Sequence, residues 1–406
     1  MNPSISSTTT SSGTTPSSSL DSSTLLAIFS LAMGAFSIGT GEFVIMGLLP
    51  DAADDLGVSI PGAGHLISAY ALGVVIGAPV LAVLGANWER KRLLIALMAA
   101  FAVANFFSSV APGYLSMNVA RFISGFPHGT YLGVAALVAA GMVPRHRRTQ
   151  SVAWVLMGLT VATLIGVPIA AAIGQWFGWR SAFVIVGLLG LAALGCILRF
   201  VPKSAPQRRT HPLAELNSLK RPQVWLTLAI GAVGSGGLFA VFSYVKPTMM
   251  NLAGVGENTI PVILALFGIG MVGGNLVGAY LADKNLEATI RGILIWAFFV
   301  VGAFFFTAKH PILGSINILL VGTLVALGPA LQSRLMDVAG DAQTLAAALN
   351  HSAFNAANAL GAWLGGVGIA AGLGWASTGY IGASLAISGL LIHFVSLRLM
   401  RRHTHI

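Results

Sequence analysis

Charge is what this chain has least of. Only 8% of its 406 residues are Asp, Glu, Lys or Arg, where a soluble domain carries about 25%. That is too little to coat a water-soluble globule of this length, so lipid must be its main solvent. Cysteine is almost missing as well, and Cys196 alone excludes a disulfide framework and a multi-thiolate metal centre. There is no Gly-x-x-x-x-Gly-Lys-Ser/Thr phosphate loop, which excludes a single-chain ATP-driven pump, and no His-Glu-x-x-His metal pair. Ser388 and His393 share one short apolar helix without the glycines that surround an intramembrane serine protease site. No enzymatic activity, cofactor or metal is therefore expected.

What the chain has instead is apolar mass, 56% of its residues. Residues 1–23 are the exception: a Ser/Thr-rich stretch unable to bury enough surface to order itself. It has no basic residue ahead of Asp21, so it reads as an uncleaved, disordered extension rather than a signal peptide. From Thr24 onward, apolar runs of about 20 residues, the length a helix needs to cross a bilayer, alternate with short polar breaks. Runs this long exclude barrel strands. They predict twelve transmembrane helices at 24–49, 62–84, 93–111, 114–143, 151–174, 181–201, 223–247, 260–282, 290–308, 312–336, 344–371 and 378–398.

The formal charge of +10 raises the question of nucleic acid. The basic residues are dealt out loop by loop, however, with no contiguous basic face. Arg90, Lys91, Arg92, Arg145, Arg147, Arg148, Lys203, Arg208, Arg209, Lys220, Arg221, Lys284, Arg291, Arg334, Arg398, Arg401 and Arg402 fall in or beside the even-to-odd connections or the C-terminus. By the positive-inside rule both termini are cytoplasmic, and the partners are the bilayer and a small solute, with no nucleic acid. The polar stretch 202–222 splits the span region into a six-helix bundle at 24–201 and another at 223–398, followed by a cytoplasmic tail at 399–406. Sliding the sequence by 197 residues pairs Gly73 with Gly270, Gly57 with Gly254, Gly125 with Gly322 and Pro50 with Pro247, and superposes the spans. Parallel repeats of this kind build the two rocking halves of alternating-access transporters.

The run Gly41-Glu42-Phe43-Val44-Ile45-Met46-Gly47-Leu48-Leu49-Pro50 resembles helix 1 of the twelve-spanning drug:proton antiporter family of the major facilitator superfamily. Ala71-Leu72-Gly73-Val74-Val75-Ile76-Gly77-Ala78-Pro79, Arg121-Phe122-Ile123-Ser124-Gly125-Phe126-Pro127-His128-Gly129 and Phe242-Ser243-Tyr244-Val245-Lys246-Pro247 narrow the resemblance to its arabinose-efflux branch. The resemblance implies an all-α fold of two pseudo-symmetric bundles in a bacterial inner membrane. It also implies a single-chain antiporter that exports a sugar or drug-like solute on the proton gradient. Two motifs depart from the family. The first-half loop has Ala86 where the family places Asp, although Arg90, Lys91 and Arg92 remain, and the second half keeps Asp283 and Lys284. Helix 5 reads Gly166-Val167-Pro168 where the family has adjacent Gly-Pro. An uncoupled facilitator or uptake permease is the alternative reading.

Glu42 is the one acid placed well inside a span. It lies about 12 Å in from Pro50, and Arg121 about 13 Å in from Pro112, at 1.5 Å rise per residue. The resemblance makes their helices neighbours. Charges in the bilayer are usually paired and mark a substrate or proton path, so the pair is either a coupling switch or a fixed link between helices 1 and 4. Arg121, Gly125 and His128 share one helix face, which offers His128 as a proton relay or a structural histidine. Gly125 is a close-packing position. On helix 11, His351, Asn355 and Asn358 align to line a cavity or to bond neighbouring helices. Phe239 and Phe242 form a stripe on helix 7 with Ser235 and Lys246, and Gln332 follows Gly328-Pro329 beside a break in helix 10.

Overall fold

The computed structural model describes residues 21–85, 87–144, 147–203, 219–339 and 343–403. Residues 1–20 of the Ser/Thr tail, residues 204–218 of the linker and the last three residues lie outside that set, and the end of the tail, Ser22 and Ser23, is already helical. Among the described residues the structure is helical throughout, with twelve long helices. They are α1 Ser22–Gly47, α2 Ile60–Gly85, α3 Arg90–Val110, α4 Tyr114–Gly141, α5 Gln150–Phe177, α6 Ser181–Phe200, α7 Pro222–Ser243, α8 Glu257–Lys284, α9 Leu286–Thr307, α10 Pro311–Ala339, α11 Gln343–Ala370 and α12 Ser377–His403. Eleven are long and apolar enough to cross a membrane. The other, α11, is long enough at 28 residues, but Asn350, His351, Asn355 and Asn358 dilute its apolar character.

The helices match the twelve predicted spans, with informative differences at four ends. The chain at 48–49 and 245–247 has left the long helix and entered short ones, Leu49–Asp55 and Val245–Ala253, each with a proline in its first turns. A proline there lacks only an N–H that would be orphaned anyway. Both short helices lead to a glycine in the left-handed region, Gly57 at φ 64° and Gly254 at φ 65°, where a Cβ is strained. At the other two ends, α9 begins earlier than expected, taking in Glu287, and α12 runs on to His403.

Packing repeats along with sequence. In the first half α2 lies along α4, α3 along α6, and α1 against α5 and α6; in the second, α8 lies along α10, α9 along α12, and α7 against α11 and α12. The glycines show why the 197-residue offset survives. A Cβ on Gly73 would fall on the Phe122 carbonyl oxygen, and one on Gly270 on that of Leu319; Gly125 likewise meets Tyr70, and Gly322 meets Phe267. These are backbone-to-backbone contacts at equivalent places in both halves, so no neighbouring side chain can yield. Gly322→Val is expected to cost more than the ~1–3 kcal/mol usual for overpacking. Thermal melting in detergent checks this against Gly133→Val, where the added atom meets open space.

The buried apolar clusters differ between the two sides of the membrane. Away from the helix ends at Ser22 and His403, one cluster draws on both halves, with Phe43, Leu48 and Phe183 joined to Phe239, Phe242 and Phe267. Towards those ends the clusters are separate: Ile28, Leu97 and Ile197 in the first half, Ile230, Leu294 and Leu327 in the second. The halves are thus fused on the far side, in contact through α2–α11 and α5–α8. On that side Arg180, between α5 and α6, ion-pairs with Asp55. The Arg180 hydrogen bond holds the Asp55 carboxyl below its usual range. A lowered folded value means the pair contributes stability at neutral pH and loses it as pH falls through the carboxylate range. The melting difference between wild type and Asp55→Asn should therefore be constant above about pH 5 and shrink below about pH 4.

Candidate transport site

The regular helix of α1 stops at Phe43 and tightens into a 3₁₀ turn over Val44–Gly47. Glu42 sits in the last regular turn, 6% exposed. Its Oε1 accepts from Asn358 Nδ2 of α11 at 3.4 Å, and its Oε2 lies 4.0 Å from His128 Nδ1 of α4. That imidazole nitrogen is also 3.0 Å from the Tyr70 hydroxyl of α2. The His128 and His351 rings lie 6.4 Å apart across the interface between halves. Four helices, three from the first half and one from the second, therefore converge on one buried carboxylate. Asn355 and Asn358 each keep a buried side-chain oxygen without a partner, because the amide nitrogens are spent on the His351 carbonyl and on Glu42.

Arg121 is fully buried beside this cluster, yet among the described residues no salt bridge joins it to Glu42. Its Nη1 donates to the Gly41 carbonyl at 3.0 Å, and its guanidinium stacks 4.4 Å from the Tyr70 ring centroid and 5.3 Å from that of Phe183. Nε and Nη2 have no partner. The expected direct ion pair is replaced by a guanidinium that caps the backbone one residue away, where the tightening of α1 frees a carbonyl. Equal depth on two helices fixes height but not azimuth, and here the side chain reaches the helix and misses the carboxylate.

An aromatic plug lies on the fused side of Glu42. Phe43 stacks against Phe239 at 6.5 Å and meets Phe242 edge-on at 6.1 Å, while Phe242 stacks on Phe267 of α8 at 3.6 Å. The two phenylalanines of the helix 7 stripe thus stack with rings of both halves. Beyond the plug, Lys246 is 1% exposed and reaches Asp51 and Glu257, both at 2.6 Å. Asp51 belongs to the first half, so this pair ties the halves together.

The chain is similar in sequence to membrane transport proteins. The family model of the Major Facilitator Superfamily matches residues 31–343. The chain belongs to the Major Facilitator Superfamily. Among its relatives, the inner membrane transport protein YdhP of Escherichia coli (strain K12) is 38% identical over 91% of this chain and 96% of that one. The AraJ protein of the same organism is 34% identical over 90% and 94%, and a chloramphenicol resistance protein of Streptomyces lividans is 34% identical over 90% and 93%. Of solved structures, an inward-facing bacterial homologue of the lysosomal transporter Spinster superposes with a TM-score of 0.75 at 14% identity, over 94% of this chain and 98% of that one. A D-xylose-proton symporter superposes at 0.72 and 17%, over 92% and 97%. These two show the shared fold. The chain is a multi-pass membrane protein of a transporter superfamily, as the spans and motifs lead one to expect.

The remaining motif residues take packing or capping places. Gly166 closes a widened π turn, Ala162–Gly166, in which the Val167 N–H bonds to the Ala162 carbonyl, and Pro168 follows in the first turn of the helical segment beyond it. Gly166 lets Thr40 of α1 approach. Arg90 and Lys91 donate to the carbonyls of Leu137 and Leu198 at the ends of α4 and α6, and Arg92 pairs with Glu89 at 3.2 Å. Asp283 is exposed and, among the described residues, makes no ion pair. The ion pair on that side joins a buried Arg334 to a half-buried Glu287, at 2.6 Å. Arg334 also reaches His393 at 3.1 Å and Ser396 at 2.7 Å, and Ser396 donates to Gln223 at 2.6 Å. Arg334 looks in sequence like one more topology signal; in the fold it is 1% exposed and clamps α7, α9, α10 and α12. Gln332, two residues away, is half-buried and takes no part in the polar contacts around Glu42. The sequence also gave no reason to select Tyr70, whose only signal is a hydroxyl in an otherwise apolar stretch of α2.

Proposed function

We propose that the chain exports a small organic solute from the cytoplasm by alternating access, in exchange for protons that ride on Glu42. The observation that carries this reading is the placement of that carboxylate. It is buried in the last regular turn of α1 and hydrogen-bonded by Asn358, with His128 4.0 Å away. A carboxylate so placed is stable neutral, and becomes stable ionised only when water, a cation or a donor-rich solute reaches it. The two unpartnered amide oxygens of Asn355 and Asn358 offer such a solute acceptors beside the acid. Proton and solute then compete for one position, which is the requirement for exchange.

Under the positive-inside orientation, the fused side with its plug and Lys246 tie faces outward, and solute enters from the cytoplasm. Inward proton movement supplies about 2.3 kcal/mol per charge at 100 mV. The name of one relative, a chloramphenicol resistance protein, makes chloramphenicol-like molecules a first candidate, and the motif resemblance to the arabinose-efflux branch adds sugars. The test is purified protein in liposomes, offered pentoses, purines, chloramphenicol and cationic dyes while internal pH is recorded. Export predicts saturable accumulation only with an imposed proton gradient, accompanied by counter-movement of protons. Saturable equilibration with no pH signal would assign an uncoupled facilitator instead.

A further inference from the structure

The ends of α9 and α12 enclose a cleft that transport does not use. Its volume is about 520 Å³, and Arg291, Arg398, Arg401, Leu391, Phe394 and Val395 line most of it, with no acidic side chain among the lining residues. The apolar wall faces outward from the bundle: Leu391 is 59% exposed, Phe394 40% and Val395 48%. In a membrane-spanning helix such a wall is covered by acyl chains.

The charges sit at one level. Arg291 is five residues from the start of α9 at Leu286, and Arg398 five from the end of α12 at His403. On antiparallel neighbours that places both about 7–8 Å in from the same helix ends, within reach of lipid headgroups. Three guanidiniums lining one concavity make its field attractive to an anion. The fold itself does not ask for them: the 197-residue repeat puts Leu94, Val201 and Ser204 at the equivalent positions of the first half. A topology signal needs basic residues in the connection, not gathered over an apolar wall.

We propose that this cleft binds one anionic phospholipid, its phosphate held by Arg291, Arg398 and Arg401 and an acyl chain lying along Leu391, Phe394 and Val395. Basic pockets between membrane helices are recognised sites for anionic headgroups. The occupant also has something to brace. Directly behind the wall, His393 and Ser396 join Arg334 and Glu287, on the side where the two halves share no apolar cluster.

The test is lipid binding to the purified full-length protein in detergent, followed by native mass spectrometry and by thermal midpoint. The probes are phosphatidylglycerol, phosphatidylcholine and inorganic phosphate. Phosphatidylglycerol should be retained and should raise the midpoint; phosphatidylcholine and phosphate should do neither. Each basic residue near an anionic headgroup is worth about fivefold in affinity, so the triple variant R291Q/R398Q/R401Q should bind about a hundredfold more weakly. Arg398→Gln alone, which spares the fold if the triple variant does not assemble, should lose about fivefold. Arg92→Gln, an exposed arginine of the α2–α3 connection, should lose nothing. Equal binding by the variants, or a loss as large with Arg92→Gln, overturns the site. Equal retention of phosphatidylcholine makes it a non-selective groove, and a matching shift with inorganic phosphate makes it a free-anion site; either result also overturns the proposal.

Discussion

Glu42→Gln is expected to abolish uphill export while leaving a folded protein that still moves solute downhill. Glutamine has the same shape and can keep the hydrogen bond to Asn358, so the junction of α1 with α11 survives. It is permanently neutral, so it can neither deliver a proton nor be displaced as an anion. A single proton at 100 mV supports roughly fiftyfold accumulation, from about 2.3 kcal/mol per charge. The variant should bring that ratio to about one, with counterflow exchange retained. Proteoliposomes with an imposed gradient read both quantities. Gradient-driven accumulation that persists in Glu42→Gln would remove Glu42 from the coupling step and leave it as a link between helices.

The twelve spans were legible because the bilayer imposes one rule, about 20 apolar residues per crossing, and the chain obeys it almost everywhere. Glu42 was legible for the complementary reason, as a lone acid in such a run. What the sequence could not supply was rotation. Helix spacing gives the height of Arg121 but not the direction of its reach, and so the pairing with Glu42 failed while the neighbourhood held. Arg334 and Glu287 fail in a different way. Each lies near the end of a span, where a charged residue is expected anyway, and only the packing of α7, α9, α10 and α12 buries Arg334 against Glu287. Tyr70 and Phe43 were invisible because an aromatic in an apolar helix is ordinarily packing. The glycine repeat shows the opposite case: carbonyls touching at Gly73 and Gly270 tolerate no side chain, so the constraint is written directly into residue type.

Asp51→Asn should open the outer side, and Glu257→Gln should not. Both acids touch Lys246 at 2.6 Å, but only Asp51 comes from the other half. Lys246 lies in the connection of α7 to α8 and Glu257 opens α8, both in the second half, so their pair survives any rocking motion. Removing Asp51 cuts the ionic tie between halves and leaves the buried ammonium still paired. The tie is half-exposed on its acidic side, with Asp51 31% exposed, so its contribution falls between a surface pair and a buried one, about 1–3 kcal/mol. At about 1.4 kcal/mol, within that range, the ratio of outward-open to outward-closed protein shifts about tenfold. A cysteine at the buried outer position Ala63, in a Cys196→Ala background, reports it through labelling by a membrane-impermeant maleimide. Asp51→Asn should speed labelling about tenfold and Glu257→Gln leave it near wild type. Equal acceleration by the two would mean that Lys246 merely anchors its own connection, and that the phenylalanine plug and the shared apolar cluster alone hold the outer side shut.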